Sequence, residues 1–405
     1  TESDEESQKL REEYKHVIPQ LELLHNLYKC LRIARDERGA IDFETQETRI
    51  LFADNRKIDR IIPVTRNEAH KLIEECMLAA NTCAATLLEK QKIPALFRVH
   101  EGPSEDKLKN LRAFLGELGL NLGGGGKPHP ADYQTLLAST VGRTDARLIQ
   151  TMLLRSMSQA VYQAENIGHF GLDYPSYAHF TSPIRRYPDL LVHRAIRYLV
   201  RNRPDVKQVR CADGAAKLPQ NKIYPYDDAA MDAFGVQCSS CERRADEASR
   251  DVVAWLKCEY LLDHVEETFD GVINAVTSFG LFVELKDIYI EGLVHVTMLK
   301  RDYYHFDAVG QRLVGERTRE VYRLGDSVQV RVVRVNLDDR KIDLELLKSY
   351  RTEKDTSPKE KIKPFSKNDT KTKANKAAKK SEQKKPSATK STAKKSKPTA
   401  KKSKP

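Results

Sequence analysis

The spacing of apolar residues changes near residue 268, and that change limits the folds open to this chain. Before it, apolar residues recur mainly at steps of three and four, as on one face of a helix. After it, they alternate with polar residues in short segments separated by glycine or polar turns, the pattern of half-buried strands. Five segments alternate in this way: FDGVINAV, FGLFVEL, EGLVHV, DSVQVRVVRV and KIDLEL. They predict a small Greek-key barrel of the OB type.

The part before the barrel mixes helices with a hairpin. A stripe from Leu10 to Leu31 predicts a helix that Pro19 either kinks or splits in two. Further helices are expected at 67–91, capped by Asn67, at 107–118, from Asp145 to Val161, and at 238–264. Between the first two helices the spacing of two predicts a hairpin with apolar positions Ile41, Phe43, Ile50, Phe52, Ile58, Ile61 and Ile62. The expected fold class is α+β: this mixed helix and strand part, then a small all-β OB-fold barrel, then a disordered basic tail.

The positive charge of the chain is concentrated in residues 351–405. The formal net charge is +11, and this segment holds 20 Lys and Arg against 5 Asp and Glu, so the preceding residues are slightly acidic. Because the segment has almost no large apolar side chains, we expect it to be disordered. A solvated basic tail binds nucleic acid through counterion release. A merely solubilising tail is the alternative.

Composition and motif spacing argue against a disulfide-stabilised protein, a structural zinc site, a membrane protein and a Walker-type nucleotide site. Seven cysteines at irregular positions form no disulfide framework, and the lone CxxC of Cys238 and Cys241 lacks the second ligand pair of a structural zinc site. The sequence shows neither an apolar run of ~20 residues nor a signal segment, which predicts a cytoplasmic protein without membrane contact. The glycine-rich GLNLGGGGKPHP has Asn121 and Pro128 where a Walker loop requires Gly and Ser or Thr. Because the segment that begins at Thr1 is polar and acidic, we expect the chain to be truncated there.

The densest group of functional side chains is Tyr177 to Asp189, YAHFTSPIRRYPD. Pro183 and Pro188 oppose a continuous helix and therefore hold Arg185 and Arg186 on a stiffened turn. Two guanidiniums held in this way suit a phosphodiester, because arginine meets phosphate oxygens with a planar fork of donors and keeps its charge. The alternative is a surface turn whose arginines pair with nearby carboxylates.

This stretch, continued by LLVHRAI, resembles the signature of the ribonuclease II and ribonuclease R family of processive 3'-to-5' exoribonucleases. The resemblance implies hydrolysis of RNA to 5'-mononucleotides, with Arg185 stabilising charge on the reacting phosphate. Arg186, with a structural or phosphate-contacting role, and Tyr177 are the implied RNA-binding neighbours. The family binds Mg²⁺ through an aspartate cluster that lies upstream of the first helix here, so no ligands for it are expected in this chain. Asp227, Asp228 and Asp232 lack the family pattern.

The same resemblance assigns two residues nearer the amino end. Phe43, in GAIDFETQE, matches a position where the family stacks an RNA base, although a core phenylalanine on a strand fits the spacing equally. Of the neighbours Glu74 and Glu75, Glu75 matches a carboxylate that contacts the ribose of bound RNA, and Glu74 fits a solvated helix position. Farther along the chain, Glu242 or Asp246 could face the RNA channel, although we expect a solvated charged face for most of that helix.

The barrel segments FGLFVEL and EGLVHV resemble the S-one type of RNA-binding domain. That resemblance makes Phe279, Phe282 and His295 an RNA-stacking face with Arg334 nearby. Strict strand alternation puts the two phenylalanines on opposite faces, unless a bulge at Gly280 intervenes. One phenylalanine could therefore belong to the core, and Phe282, inside the strand, is the better candidate.

Four regions are expected: a catalytic-domain portion at 1–205, a connecting segment and long helix at 206–265, the barrel at 266–348 and the tail at 349–405. Two functions fit them. The first is the carboxyl half of an exoribonuclease that requires Mg²⁺, and the second is an RNA-binding fragment without catalysis. The expected partners are single-stranded and structured RNA, with the ribosome or the RNA-decay machinery as further candidates. The expected state is a monomer.

Overall fold

The computed structural model describes residues 5–43, 47–143, 145–202, 214, 216–299 and 302–350. The basic segment 351–405, predicted to be a disordered tail, lies outside these residues. Within them, no helix combines the length and apolar character that crossing a membrane would require. The described residues up to 350 belong to one compact unit.

Helices form most of the structure before residue 263, interrupted by two small antiparallel sheets. The helices are α1 Glu5–Glu13, α2 Ile18–Arg38, α3 Glu68–Lys90, α4 Glu105–Glu117, α5 Pro130–Ser139, α6 Ala146–Ser156, α7 Tyr187–Asn202, α8 Gln220–Ile223 and α9 Asp228–Leu262. The strands of this part are β1 Thr48–Phe52, β2 Ile58–Pro63, β3 Phe97–Val99 and β4 Val161–Gln163.

The amino-terminal helices follow their sequence signals closely. Pro19 lies in the first turn of α2, so the predicted stripe is split into two helices, which confirms one of the two alternatives. Asn67 caps α3, where its side chain accepts a hydrogen bond from the His70 amide. β1 and β2 form the predicted hairpin. Ile41 and Phe43, however, precede its first strand.

Two helix predictions were wrong in their bounds. The helix after Asp145 ends at Ser156 instead of continuing to Val161, because Val161 opens β4, which pairs with β3. Asp145 occupies the N-cap position, but its carboxylate is bound to Arg143 through two hydrogen bonds of 2.7 Å. The long helix α9 begins at Asp228 instead of residue 238, because the Asp227 side chain accepts from the Ala230 amide at 2.8 Å and caps it.

The predicted five-stranded barrel is confirmed. Its strands are β5 Thr268–Thr277, β6 Gly280–Leu285 and β7 Glu291–His295, closed by the pair β11 Ser327–Asn336 and β12 Lys341–Tyr350 in the order β11-β12-β7-β6-β5. The strand register shifts between Ile273 and Ala275 on β5, not at Gly280. Gly280 is required for another reason, since a Cβ there would lie 2.3 Å from the Val294 carbonyl oxygen.

A second sheet, absent from the sequence prediction, is inserted between β7 and the last two strands. It consists of β8 Tyr304–Asp307, β9 Arg312–Gly315 and β10 Val321–Arg323, in the order β10-β9-β8. Tyr304, Leu313 and Tyr322 of this sheet are buried in the hydrophobic cluster of the barrel. Arg312 also lies 3.6 Å from Glu117 of α4 and so connects the inserted sheet to the helical part.

Candidate functional site

The stretch Tyr177 to Asp189 is fixed to the helical core at its beginning by one side-chain amide. Asn81 of α3 is buried; its Nδ2 donates to the Tyr177 hydroxyl at 2.9 Å, and its Oδ1 accepts from the Phe180 amide at 2.9 Å. The Arg98 amide of β3 donates to the Tyr177 carbonyl at 2.8 Å. The aromatic start of the stretch is therefore held against two elements.

The end of the stretch is fixed by a buried carboxylate. Asp189, in the first turn of α7, is fully buried, and its Oδ1 accepts from the Ser182 amide at 2.7 Å and from Arg186 Nη2 at 2.8 Å. Arg185 lies on the turn between Ser182 and Arg186, since both arginine amides donate to the Ser182 carbonyl, at 3.3 and 3.0 Å respectively. Pro183 therefore opens a turn, as predicted, whereas Pro188 lies in the first turn of α7, which begins at Tyr187.

The two adjacent arginines differ sharply in environment. The Arg186 side chain is only 19% exposed and is bound to Asp189. Arg185 is exposed, and no hydrogen bond or ion pair holds its side chain among the residues described. The turn thus presents an uncommitted guanidinium, that of Arg185, which has no partner among the described residues. Beside it lies the guanidinium of Arg186, which is bound to Asp189. Three buried polar atoms near it, Thr181 Oγ1, Asp189 Oδ2 and Arg186 Nε, also lack partners in the described part of the chain.

The aromatic residues before the turn form a packed cluster. Tyr177 is buried, and its ring stacks on Tyr174 with centroids 5.9 Å apart. Phe180 stacks on His193 at 4.3 Å. Tyr187 is 43% exposed and contacts Phe234 of α9 edge to face. Tyr177, predicted to contact RNA, therefore has its hydroxyl bound to Asn81, whereas Tyr187 presents part of its ring to solvent.

A partly buried ion pair next to the cluster was not predicted from the sequence. Arg98 of β3 pairs with Glu242 of α9 at 2.6 Å, and its guanidinium lies 4.6 Å from the centroid of the Tyr162 ring. The Tyr162 hydroxyl lies 2.7 Å from Nδ1 of His179, within the stretch itself. Glu242 is therefore bound to Arg98 near the candidate site, and nothing in the sequence signalled Arg98 as its partner.

Burial controls the protonation of His179. Removal from solvent, reinforced by the positive charges of Arg186 and Arg98, lowers the pKa of His179 from 6.5 to about 3. Burial, with His100 and Arg98 nearby, likewise lowers the pKa of His169 to about 3. Both rings are thus neutral when the protein is folded at neutral pH.

Acid is expected to destabilise the fold through these rings. Between pH 6.5 and about 3, His179 binds a proton in the unfolded chain but not in the folded one. The free energy of unfolding is therefore undiminished by His179 above pH 6.5 and decreases as the pH falls. His179→Gln removes the titration, so its free energy of unfolding should change less between pH 7 and pH 4 than that of the unmodified protein. Urea unfolding at both pH values measures this, with the exposed His16→Gln as control. An identical pH dependence for His179→Gln and the unmodified protein would contradict it.

The two assigned residues nearer the amino end lie in different surroundings. Glu75 is buried, and its Oε1 accepts from Arg35 Nη1 at 2.9 Å. The Arg35 guanidinium is itself 5% exposed and lies 3.6 Å from Asp42. Glu74 is the more exposed of the glutamate pair and is bound to Arg66. Phe43 is partly buried against a hydrophobic cluster of α4, α5 and α6.

The barrel brings its predicted residues together on its outer surface. Leu281, Val283 and Leu285 of β6 point into the core, whereas Phe282 between them is only partly buried. Phe279 is 47% exposed, and its ring meets that of Phe282 at 5.9 Å, edge to face. His295 is exposed and pairs in register with Gly280.

Arg334 completes a row across the barrel surface. Its guanidinium binds Asp343 through hydrogen-bonding contacts of 2.9 and 2.8 Å. Asp343 is in register with Leu293, and Leu293 is in register with Phe282. Arg334 therefore lies three strands from Phe282 on the same row, with its charge partly neutralised.

The described residues provide no metal site of their own. They contain no group of three or more His, Cys, Asp or Glu side chains that could hold a metal ion. Asp227 caps α9, and Asp228 lies in its first turn, so these carboxylates face the helix start. The donors here do not fit the Mg²⁺ that the family resemblance implies.

Comparison with known proteins identifies the class to which this geometry belongs. Residues 2–202 match the RNB domain, and residues 263–347 match the S1 RNA binding domain. The turn of Arg185 lies in the first match and the row of Phe282 in the second. The chain is thus an RNB-domain protein with an S1 barrel.

Individual relatives define the family. The chain is 57% identical over 350 residues to Ribonuclease R of Vibrio cholerae, which covers 86% of this chain and 41% of that protein. It is 54% identical over 344 residues to Ribonuclease R of Escherichia coli, with 85% and 41% covered. The chain belongs to the ribonuclease R family. It spans about two fifths of the length of these relatives.

Solved structures agree with this assignment. The apo form of Mycoplasma genitalium RNase R superposes with a TM-score of 0.74 at 25% identity, covering 82% of this chain and 50% of the other. The same enzyme in complex with ribose methylated single-stranded RNA gives a TM-score of 0.72 at 26% identity, with the same coverage.

Proposed function

We propose that this chain holds single-stranded RNA and polarises its reacting phosphodiester, as the carboxyl portion of a processive 3'-to-5' exoribonuclease that releases 5'-mononucleotides. The observation that carries the proposal is the uncommitted guanidinium of Arg185, on a turn whose neighbour Arg186 is bound to buried Asp189. The relatives named Ribonuclease R and the relative solved with single-stranded RNA support it.

The turn suits this role electrostatically. A guanidinium can donate two parallel hydrogen bonds to a phosphate, and it stays charged throughout the reaction. Because Asp189 fixes the adjacent residue, Arg185 is placed before substrate arrives, which is the condition for stabilising charge that develops in a transition state. Thr181 Oγ1, which is buried and has no hydrogen-bond partner among the described residues, is a further candidate donor to the phosphate. Arg186 acts as the positioning residue.

We assign no step to a metal ion, because the described residues do not supply its ligands. This observation favours a second candidate function for the polypeptide by itself, which is RNA binding without cleavage. Phe279, Phe282 and His295 would then stack RNA bases. Glu75 and Phe43 would lie along the bound RNA strand. The proposed setting is the cytoplasm, with single-stranded and structured RNA as partners and with the ribosome or the decay machinery as further candidates.

The two candidates are separated by one assay on the purified chain. We expect it to bind single-stranded RNA but to release no 5'-mononucleotides with Mg²⁺ present. Arg185→Ala should weaken binding without lowering the melting temperature, whereas Arg49→Ala, an exposed arginine on β1, should change neither. Release of mononucleotides that Arg185→Ala abolishes would instead establish catalysis by this chain. A chain that binds no RNA would refute both candidates.

The basic segment is expected to add sequence-independent affinity. Deleting residues 351–405 should weaken RNA binding and flatten its salt dependence, by about 0.7 in the log–log slope for each phosphate that the segment neutralises. Titrations over a range of salt concentrations measure the slope. If the slope is unchanged, the segment is only solubilising.

A further inference from the structure

The inserted sheet β8–β10 packs one face on the barrel, with Phe306 exposed at its edge, and carries further aromatic rings to solvent on the other face. Tyr304, Leu313 and Tyr322 pack into the barrel cluster. The outer sheet face carries Tyr303, which directly precedes β8, together with His305, Val314 and Val321. By strand alternation it also includes Asp307, Arg312 and Arg323. His305 and Val321 are both in register with Val314, so these three form one row across the sheet.

Two rings of the outer sheet face are largely exposed to solvent. Tyr303 is 67% exposed, and the His305 side chain is 63% exposed. Their ring centroids lie 5.0 Å apart at an angle of 72°. The two valines are only partly buried, so the rings border an apolar strip. Exposed aromatic rings on a sheet are the means by which single-stranded RNA-binding sheets stack bases.

The segment that carries Tyr303 is rigidly fixed. The Asp302 carboxylate accepts from the amides of Tyr303, at 2.8 Å, and Thr318, at 2.6 Å, and from the Thr318 hydroxyl at 2.6 Å. These hydrogen bonds, those of Thr318 first, hold the pKa of Asp302 well below its usual range. The Tyr303 carbonyl accepts from the Glu316 amide at 2.8 Å. Because the backbone of Tyr303 is already held in place, mainly side-chain freedom is lost when its ring binds a ligand.

Charge favours recognition of bases over recognition of a run of phosphates. Arg312 is bound to Asp307 at 2.8 Å and lies near Glu117, so its charge is largely neutralised. His305 lies 3.7 Å from Glu316. Among the described residues, the charge of Arg312 on this face is thus offset by neighbouring carboxylates, and the exposed rings remain as its recognition surface.

We propose that the outer sheet face stacks unpaired RNA bases, as a second contact site apart from the row of Phe279, Phe282 and His295. The inference rests on the proposed RNA-binding function. Tyr303 lies eight positions after His295, which limits the distance between their Cα atoms to roughly 28 Å. One RNA strand can occupy both sites, and engagement of one site raises the effective concentration at the other.

The test measures affinity of the full chain for a single-stranded oligoribonucleotide long enough to reach both sites, without divalent metal. Tyr303→Ala should weaken binding about 5- to 150-fold, the range expected for loss of one stacked base. Tyr303→Phe should bind like the unmodified chain. Tyr14→Ala, which removes another half-exposed ring, is the matched control. Thermal unfolding should be unchanged in all three variants.

An abasic strand with the same number of phosphates isolates the base contribution. The unmodified chain and Tyr303→Ala should bind it equally. An equal loss on both strands would overturn base stacking, and undiminished binding of the normal strand by Tyr303→Ala would overturn the site, while either result leaves RNA binding itself established. Failure of the unmodified chain to bind RNA would instead refute the proposed function.

Discussion

Replacement of Asp189 by alanine should lower the free energy of unfolding by about 3–5 kcal/mol, the range for breaking a buried ion pair by removing one partner. Asp189 is fully buried, and its Oδ1 serves both the Ser182 amide and the Arg186 guanidinium. Its removal leaves an amide and a charge without their acceptor in a site that is only 19% exposed at Arg186. Urea denaturation of the full chain measures the loss.

A double-mutant cycle shows whether the loss arises from the pair. Arg186→Ala combined with Asp189→Ala should be considerably less destabilising than the sum of the two single changes, because neither charge is then left alone. Asp339→Ala, an exposed carboxylate near Lys341, should change stability by less than about 1 kcal/mol. If Asp189→Ala also lowers the free energy of unfolding by less than about 1 kcal/mol, this carboxylate does not hold the turn.

Phe279→Ala and Phe282→Ala should each weaken RNA binding by about 1–3 kcal/mol with little loss of stability, as expected for rings that stack on bases. Neither ring is part of the buried cluster of the barrel. Leu281→Ala, between them, should instead destabilise the fold by about 2–5 kcal/mol, because Leu281 is completely buried. Affinity for a short oligoribonucleotide and thermal unfolding are measured for each variant of the full chain.

The two phenylalanines can respond differently, and the pattern is informative. Early melting of Phe282→Ala alone would mean that this ring supports the barrel, as its position inside the strand allows. Early melting of both variants would exclude a stacking surface at this row. Their contact at 5.9 Å favours a joint role, so the double variant should lose less affinity than the sum of the two single variants.

The barrel could be predicted from sequence because strand alternation is a local signal. β6 shows this directly, with Leu281, Val283 and Leu285 inside and Phe282 outside. The inserted strands β8–β10 contain only three or four residues each, too few for alternation to stand out from a polar loop. Val161 was assigned to a helix because its apolar spacing continued that of α6, and only pairing with distant β3 makes it a strand.

The same difference between local signals and contacts of distant residues applies to the candidate site. The turn at Arg185 was predictable because Pro183 acts on its immediate neighbours, whereas Pro188 is accommodated in the first turn of α7. Which arginine is bound depends on Asp189, whose burial is a product of the tertiary fold. Arg98 and Glu242 are 144 residues apart, and an ion pair across that distance leaves no pattern in a single sequence. Arg35 was missed as the partner of Glu75 for the same reason.

The hydrophobic cluster of the barrel extends beyond its own strands. Ile61 of the β1–β2 hairpin and Cys258 and Leu261 of α9 are buried in it, and Leu148 of α6 packs against it as well as against the helical cluster. Residues that share a buried cluster lose their packing together, so heating should melt barrel, hairpin and helix end in a single cooperative transition. A barrel excised at residue 263 would expose the apolar surface that these residues cover, and a substitution in the hairpin can weaken RNA binding through the barrel without contacting RNA.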